Sequence, residues 1–222
     1  MKKNVAVICG GYTAERNISL GSGDVVTRNL DPQLYHIYKV LVNTDGCYVQ
    51  PENIRINMSD FSFDKNGETI KFDLVFNAIH GTPGEDGKMP AYWELVGIPY
   101  TSCGVFSGSL TFNKYGTKTF LRSFGIKTAD AVLLRPNDKI DVAAIIEKVG
   151  LPCFVKPNNG GSSFGVSKVK TDDAMIPAIK KAFEEDTEVI IERFVKGIEV
   201  SVGVYEVSNG VHVLPITEIQ TE

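Results

Sequence analysis

A chain of 222 residues can bury a sizeable core in one large or two smaller domains. Its 43% hydrophobic and 23% charged content is ordinary for a globular protein, and a net charge of −4 from scattered acidic residues argues against a nucleic-acid-binding surface. No apolar run reaches the length of a membrane span, and the apolar start Val5–Cys9 stops at Gly10-Gly11, too soon for the core of a signal peptide. The four cysteines are far apart and the three histidines show no metal-ligand spacing, so buried free thiols in a reducing cytoplasm are the expectation.

Val5–Cys9 reads as a buried strand followed by the turn Gly10-Gly-Tyr-Thr-Ala-Glu-Arg16. A helix comes next, with Ile18, Val25, Val26 and Leu30 predicted on its inward face. Tyr35–Val42 is a second strand, and strand-helix-strand predicts a parallel sheet. Ligands in such sheets sit beyond the carboxyl ends of the strands, where this turn lies. Glu15 is then either a ligand contact or a first-turn carboxylate favoured by the helix dipole.

Thr44-Asp-Gly46 and Lys65-Asn-Gly67 mark turns, the second with the Asn-Gly pair of a hairpin. The apolar run Phe72–Ile79 predicts a strand that enters His80-Gly-Thr-Pro-Gly-Glu-Asp-Gly87. A histidine and two carboxylates among glycines there suit a binding loop, and equally a helix cap. Pro99–Gly104 reads as a short strand and a turn, the candidate boundary of a first domain.

Phe112–Phe124 is expected as one helix capped by Gly125, with Lys114 and Lys118 on a solvated face. Ala131–Leu134 is a strand, and Asp141 caps a helix that ends at Gly150-Leu-Pro152. The organising stretch then follows: Cys153–Lys156, a loop carrying Gly160, Gly161, Ser162, Ser163 and Gly165, and Val166–Val169. Glycine amides and serine hydroxyls beside Lys156 form a cradle suited to a polyphosphate. The loop lacks the spacing of both a Walker P-loop and a dinucleotide fingerprint, and a nicotinamide-dependent dehydrogenase, suggested by the opening strand-helix-strand, fails because Gly10-Gly11 is not followed by the fingerprint spacing. Asp172-Asp173 opens an amphipathic helix, and antiparallel strands follow, with a turn at Asn209-Gly210. Glu192 and Glu199 interrupt apolar strands, and a carboxylate on a buried side needs a partner. A bound nucleoside would supply one, and so would pairing with Arg193 or Lys196.

Taken together, Gly10–Ser19, His80–Gly87, Gly97–Thr101, Asn113-Lys114, Phe154–Pro157, Gly161–Lys168 and Ile191-Glu192 occur in an order that resembles the D-alanine–D-alanine ligases of the ATP-grasp superfamily, from end to end of the chain. The resemblance implies a Rossmann-like parallel-sheet substrate domain at 1–102, a central ATP-grasp subdomain at 103–193, and the start of a second ATP-grasp subdomain at 194–222. It implies ATP with Mg²⁺ or Mn²⁺, two D-alanine molecules as substrates, a homodimer, and a cytoplasmic role in peptidoglycan precursor synthesis. Glu15 would hold the ammonium of the first D-alanine, with Ser162 in the same network and His80 beside the substrate. Lys114 and Lys156 would meet the ATP phosphates under Gly160–Gly165. Glu192, the backbone of Arg193–Val195, and Glu199 would hold adenine and ribose.

Phe164 stands where the family commonly carries a smaller aliphatic residue. The family's metal ligands are expected past Glu222, none within this chain, which reads as the amino-terminal two-thirds of such an enzyme and is expected to be inactive alone. A D-alanyl-D-lactate ligase and a non-catalytic nucleotide-binding fragment are the alternatives.

Overall fold

The computed structural model describes residues 2–220. In the first region, β1 (Lys3–Gly10) leads through α1 (Arg16–Asn29) to β2 (Tyr35–Asn43), followed by β3 (Gly46–Val49), β4 (Ile54–Arg55), β5 (Phe63–Lys65), β6 (Glu68–Ile70), β7 (Leu74–Asn77) and α2 (Lys88–Leu95). The main sheet runs β4-β3-β2-β1-β7. β1 lies parallel to both β2 and β7, so the predicted parallel unit is present, with β3 and β4 added antiparallel at one edge. β1 is buried from Val5 to Gly10, which explains its unbroken apolar run: a central parallel strand is covered on both faces.

α1 does not pack as predicted. Ile18 and Val25 are exposed, and the helix buries Ser19 and Gly23 instead. A Cβ on Gly23 would lie 2.7 Å from the Cβ of Cys9, so the helix approaches β1 more closely than a branched side chain allows. Ser19 supplies the polar link, accepting from the Gly10 amide and donating to the Ala78 carbonyl, each at 2.8 Å. The turn between β5 and β6 is the predicted Asn66-Gly67, both residues at positive φ as a tight hairpin requires. The predicted strand over Phe72–Ile79 is confined to β7. Of Pro99–Gly104, only Tyr100 bridges the sheet, beside Val75.

The second region begins with α3 (Val105–Phe112) and α4 (Lys114–Ser123), then β8 (Ala131–Leu134), α5 (Val142–Val149), β9 (Cys153–Pro157), β10 (Ser167–Val169), α6 (Met175–Phe183) and β11 (Val189–Arg193). The single helix expected over Phe112–Phe124 is broken at Asn113. Its backbone is extended there, and its side chain accepts from the Gly116 amide at 2.7 Å, capping α4. The sheet order is β10-β9-β11-β8, with β9 antiparallel to β10 and to β11, and β11 antiparallel to β8. Cys153, Val155, Val189 and Ile191 face a core completed by Val149 of α5 and by Met175 and Ile179 of α6. Strand alternation sends Phe154, Lys156, Ile190 and Glu192 to the opposite face. Asp141 caps α5 as expected, accepting from the Ala144 amide at 3.1 Å.

Four short strands close the description: β12 (Glu199–Ser201) with β15 (Thr217–Ile219), and β13 (Val204–Val207) with β14 (Gly210–Val213). The β13–β14 turn is Ser208-Asn209, one residue before the expected pair. β12 is exposed along its length, so the expectation of a carboxylate on a buried side fails for Glu199.

Candidate functional site

The turn after β1 is held by backbone geometry. Gly10 and Gly11 have φ of 104° and 101°, and a Cβ on Gly10 would meet the Val42 carbonyl at 2.6 Å. Arg16 donates to the carbonyls of Gly11 and Val42 at 2.9 Å and to Asn43 Oδ1 at 2.6 Å, which fixes the turn against β2. Glu15 follows from this as a carboxylate only 5% exposed, at the carboxyl end of the sheet. Two glycines make room for it: a Cβ would lie 2.8 Å from Oε2 at Gly81 and 2.7 Å from Oε1 at Gly161.

His80 and Glu85 complete this pocket. The ligand-capable atoms of Glu15, His80 and Glu85 all lie within 4.8 Å of one another. His80 Nε2 shares a 2.9 Å hydrogen bond with Ser22 Oγ, and Glu85 Oε2 accepts from the Gly81 amide at 2.6 Å. Two carboxylates and an imidazole make a site for a small cation such as an ammonium group. The trio suits Mg²⁺ poorly, because that ion prefers an octahedron of oxygens and each member is already engaged by a protein partner. The sequence leaves Glu85 open between a binding loop and a helix cap and singles out only His80 of this motif as a site residue.

The glycine-rich loop joins β9 to β10, as expected. Gly160, Ser162, Ser163 and Gly165 all have positive φ, which folds the loop back over the sheet. Ser162 Oγ donates to Glu15 Oε1 at 2.6 Å, so the loop touches the carboxylate pocket directly. Its base is fixed by amides: Asn159 N donates to Asp186 Oδ2 at 2.6 Å, and Asn158, fully buried, donates to Glu188 Oε2 at 2.7 Å.

Lys114 and Lys156 lie beside the loop, and Lys118 is linked to Lys156 through a shared carboxylate. Lys114 Nζ donates to the Gly160 carbonyl at 2.5 Å. Burial first, and then the nearby charge of Lys156, push its pKa below the ordinary lysine value. Lys156 on β9 and Lys118 on α4 each bind one oxygen of Glu192 on β11. Burial alone would raise the Glu192 pKa, but hydrogen bonds and charge from Lys118 and Lys156 outweigh it and hold the carboxyl below its usual value. Lys118 is therefore no solvated side chain; only 13% of it is exposed. The residue was legible as a lysine one helical turn after Lys114, but its partner lies 74 residues away.

The pairing of Glu192 with Arg193 or Lys196 is not what forms. Arg193 points to the other face and meets Asp130 at 3.2 Å, while its amide donates to the Asp130 carbonyl. Val195 is exposed. Lys114, Lys156, Gly160, Gly161, Ser162, Ser163 and Glu199 line one cavity of about 400 Å³ together with Phe154. Most predicted site residues thus gather in two adjoining places, the Glu15–His80 pocket and the lysine-lined cavity, with Ser162 between them; Gly165 and Glu192 lie outside that cavity's lining, and the Arg193 and Val195 side chains do not join it.

Residues 4–103 match the family model described as D-ala D-ala ligase N-terminus, and residues 120–222 match that described as D-ala D-ala ligase C-terminus. The chain belongs to the D-alanine–D-alanine ligase family. A D-alanine–D-alanine ligase of Flavobacterium johnsoniae is 50% identical over 223 aligned positions, covering 99% of this chain and 69% of that protein. Its counterpart in Christiangramia forsetii is 49% identical, covering 99% and 68%. Among solved structures, D-alanyl-alanine synthetase A of Vibrio cholerae superposes with a TM-score of 0.88 at 28% identity, over 99% of this chain and 68% of the other. D-alanine–D-alanine ligase of Bacillus anthracis, complexed with ATP, gives 0.76 at 28% identity, over 98% and 66%. The expected ATP-grasp architecture of a D-alanine–D-alanine ligase is therefore the one this chain adopts.

Proposed function

We propose that the protein joins two D-alanine molecules into D-alanyl-D-alanine, using ATP to activate the first carboxylate. The observation that carries this reading is the Ser162–Glu15 hydrogen bond, which sets a cation pocket beside a phosphate cradle. A carboxylate is a poor electrophile, because its leaving group would be oxide, so transfer of its acyl group to an amine needs prior phosphorylation. The γ-phosphoryl of ATP passes to the first D-alanine, giving an acyl phosphate. The amine of the second D-alanine attacks that carbonyl, and inorganic phosphate leaves the tetrahedral intermediate.

Each residue has a part in this scheme. Glu15 binds the ammonium of the first D-alanine, Ser162 orients that carboxylate, and His80 lies beside the substrate. Lys114 and Lys156 neutralise phosphate charge under Gly160, Gly161, Ser162, Ser163 and Gly165, since phosphoryl transfer is chiefly positioning and electrostatic stabilisation. The loop also keeps water from the acyl phosphate. Glu192, the backbone of Arg193–Val195, and Glu199 receive adenine and ribose. Mg²⁺ would add further charge neutralisation to the bound phosphates. The division at 1–102, 103–193 and 194–222, a homodimer, and a cytoplasmic place in peptidoglycan synthesis belong to the same reading. Among the described residues, no helix is long and apolar enough to cross a membrane.

The test is ADP release by the intact ligase with Mg-ATP. Release that depends on D-alanine and is not increased by D-lactate is expected. Release that requires D-lactate as the second substrate would replace the reading with an ester-forming ligase.

A further inference from the structure

We infer that Lys118 is a positioning residue for ATP use: it anchors the Glu192 carboxylate from the side opposite Lys156, so that Lys156 can turn to the nucleotide phosphates. The inference rests on the phosphate role given to Lys156 above. Three elements meet at this point. Lys118 comes from α4, Lys156 from β9 and Glu192 from β11, and each lysine holds a different oxygen of the one carboxylate. Side-chain exposures of 13%, 23% and 19% mean that water screens the trio poorly.

A buried carboxylate that loses its sole partner carries a large desolvation penalty. With Lys156 as that sole partner, every approach of Lys156 to a phosphate would leave Glu192 unpaired. Two lysines on one carboxylate remove this conflict. When Lys156 leaves, Lys118 still neutralises Glu192 and fixes its position for a nucleoside. The polyphosphate receives the charge of Lys156 without competition from Glu192. Lys118 does not line the cavity under the loop, whereas Lys114 reaches the loop carbonyl of Gly160.

The experiment is a double-mutant cycle on the intact ligase, reading KM for ATP and kcat separately, with thermal melts to monitor folding. Lys118→Met is expected to raise KM for ATP about tenfold while changing kcat less than about threefold, the equivalent of roughly 1.4 kcal/mol in nucleotide binding. Lys118→Arg, which keeps the charge, is expected to recover most of that loss. In a Glu192→Gln background, where no anion competes for Lys156, Lys118→Met is expected to cost little further.

An equal cost of Lys118→Met in both backgrounds would overturn the proposal, because Lys118 would then act without Glu192. So would an unchanged KM for ATP, or a loss confined to kcat. If Lys118→Met fails to fold, the Lys118→Arg and Lys118→Gln pair decides the matter on the same KM comparison. Lys156→Met separates the two layers: an unchanged ATP affinity there removes the phosphate reading itself, whatever Lys118 does.

Discussion

The two halves of the site are built on different physics. The Glu15 pocket is shaped by backbone: glycines at 81 and 161 leave room that a single methyl would fill, and Arg16 ties the turn to β2. Beside the lysine cavity the shaping is by ion pairs, in which Lys118 and Lys156 each hold one oxygen of Glu192. On the function proposed above, the first half receives a small substrate, and in the second Lys156 changes partner when a polyanion enters. Substitutions should therefore act abruptly in the first half and gradually in the second.

The largest expected effect comes from Gly161→Ala. Its backbone lies outside the positive-φ set, so alanine is conformationally tolerated, yet the new Cβ would lie 2.7 Å from Glu15 Oε1. Displacing that carboxylate from its position should lower kcat/KM for D-alanine by at least about a hundredfold, close to 2.7 kcal/mol, with a near-native melting temperature. A loss spread equally over ATP and D-alanine would blur the distinction between the halves. Glu15→Gln follows, removing one charge-assisted contact of about 1.5–3 kcal/mol and so about thirtyfold in D-alanine use. KM for ATP should hardly move.

The cavity should respond more softly. Lys156→Ala is expected to weaken ATP binding about tenfold, and to weaken it less at high salt, where exposed parts of the polyphosphate field are screened. Lys114 adds a pH signature. Its folded pKa lies below the ordinary lysine value, so its charge is present at low pH and is lost earlier on the way up than that of a free lysine. KM for ATP should accordingly start to rise at a lower pH in the native enzyme than in Lys114→Arg, whose guanidinium stays protonated. Coincident profiles would remove Lys114 from the phosphate site.

How much of this was legible in the sequence depended on the range of the interaction. Local signals read well. Asn66-Gly67, the Asp141 cap and the glycine loop between β9 and β10 all follow from neighbours within a few residues. α1 misled because its apolar residues were assumed to face inward, whereas the close approach to Cys9 selects Ser19 and Gly23. Lys118 and Glu192 were both visible, but nothing local says that a lysine on one helix meets a carboxylate 74 residues on. Glu85 lay in plain view, and only the fold brings it to Glu15 and His80.

The smallest effect sharpens the comparison most, because it falls on the joint between fold and loop. Asn113 and Asp141 both cap helices, accepting from Gly116 at 2.7 Å and from Ala144 at 3.1 Å. Replacing either by alanine should cost about 1 kcal/mol, a fall in melting temperature of about 2–4 °C for a chain of this size. Only Asn113 also reaches the glycine loop, donating to Asn159 Oδ1 at 2.9 Å beside the backbone bridge between the same two residues. Asn113→Ala should therefore add a rise of about two- to threefold in KM for ATP, less than 1 kcal/mol, while Asp141→Ala leaves ATP use unchanged. If both variants melt alike and both keep native ATP affinity, the loop is held without the Asn113 side chain, by Asp186 and Glu188 on one side and by the Lys114 and Tyr115 contacts of α4 on the other. The Asn113 side chain would then be a neighbour of the phosphate cradle rather than part of its support.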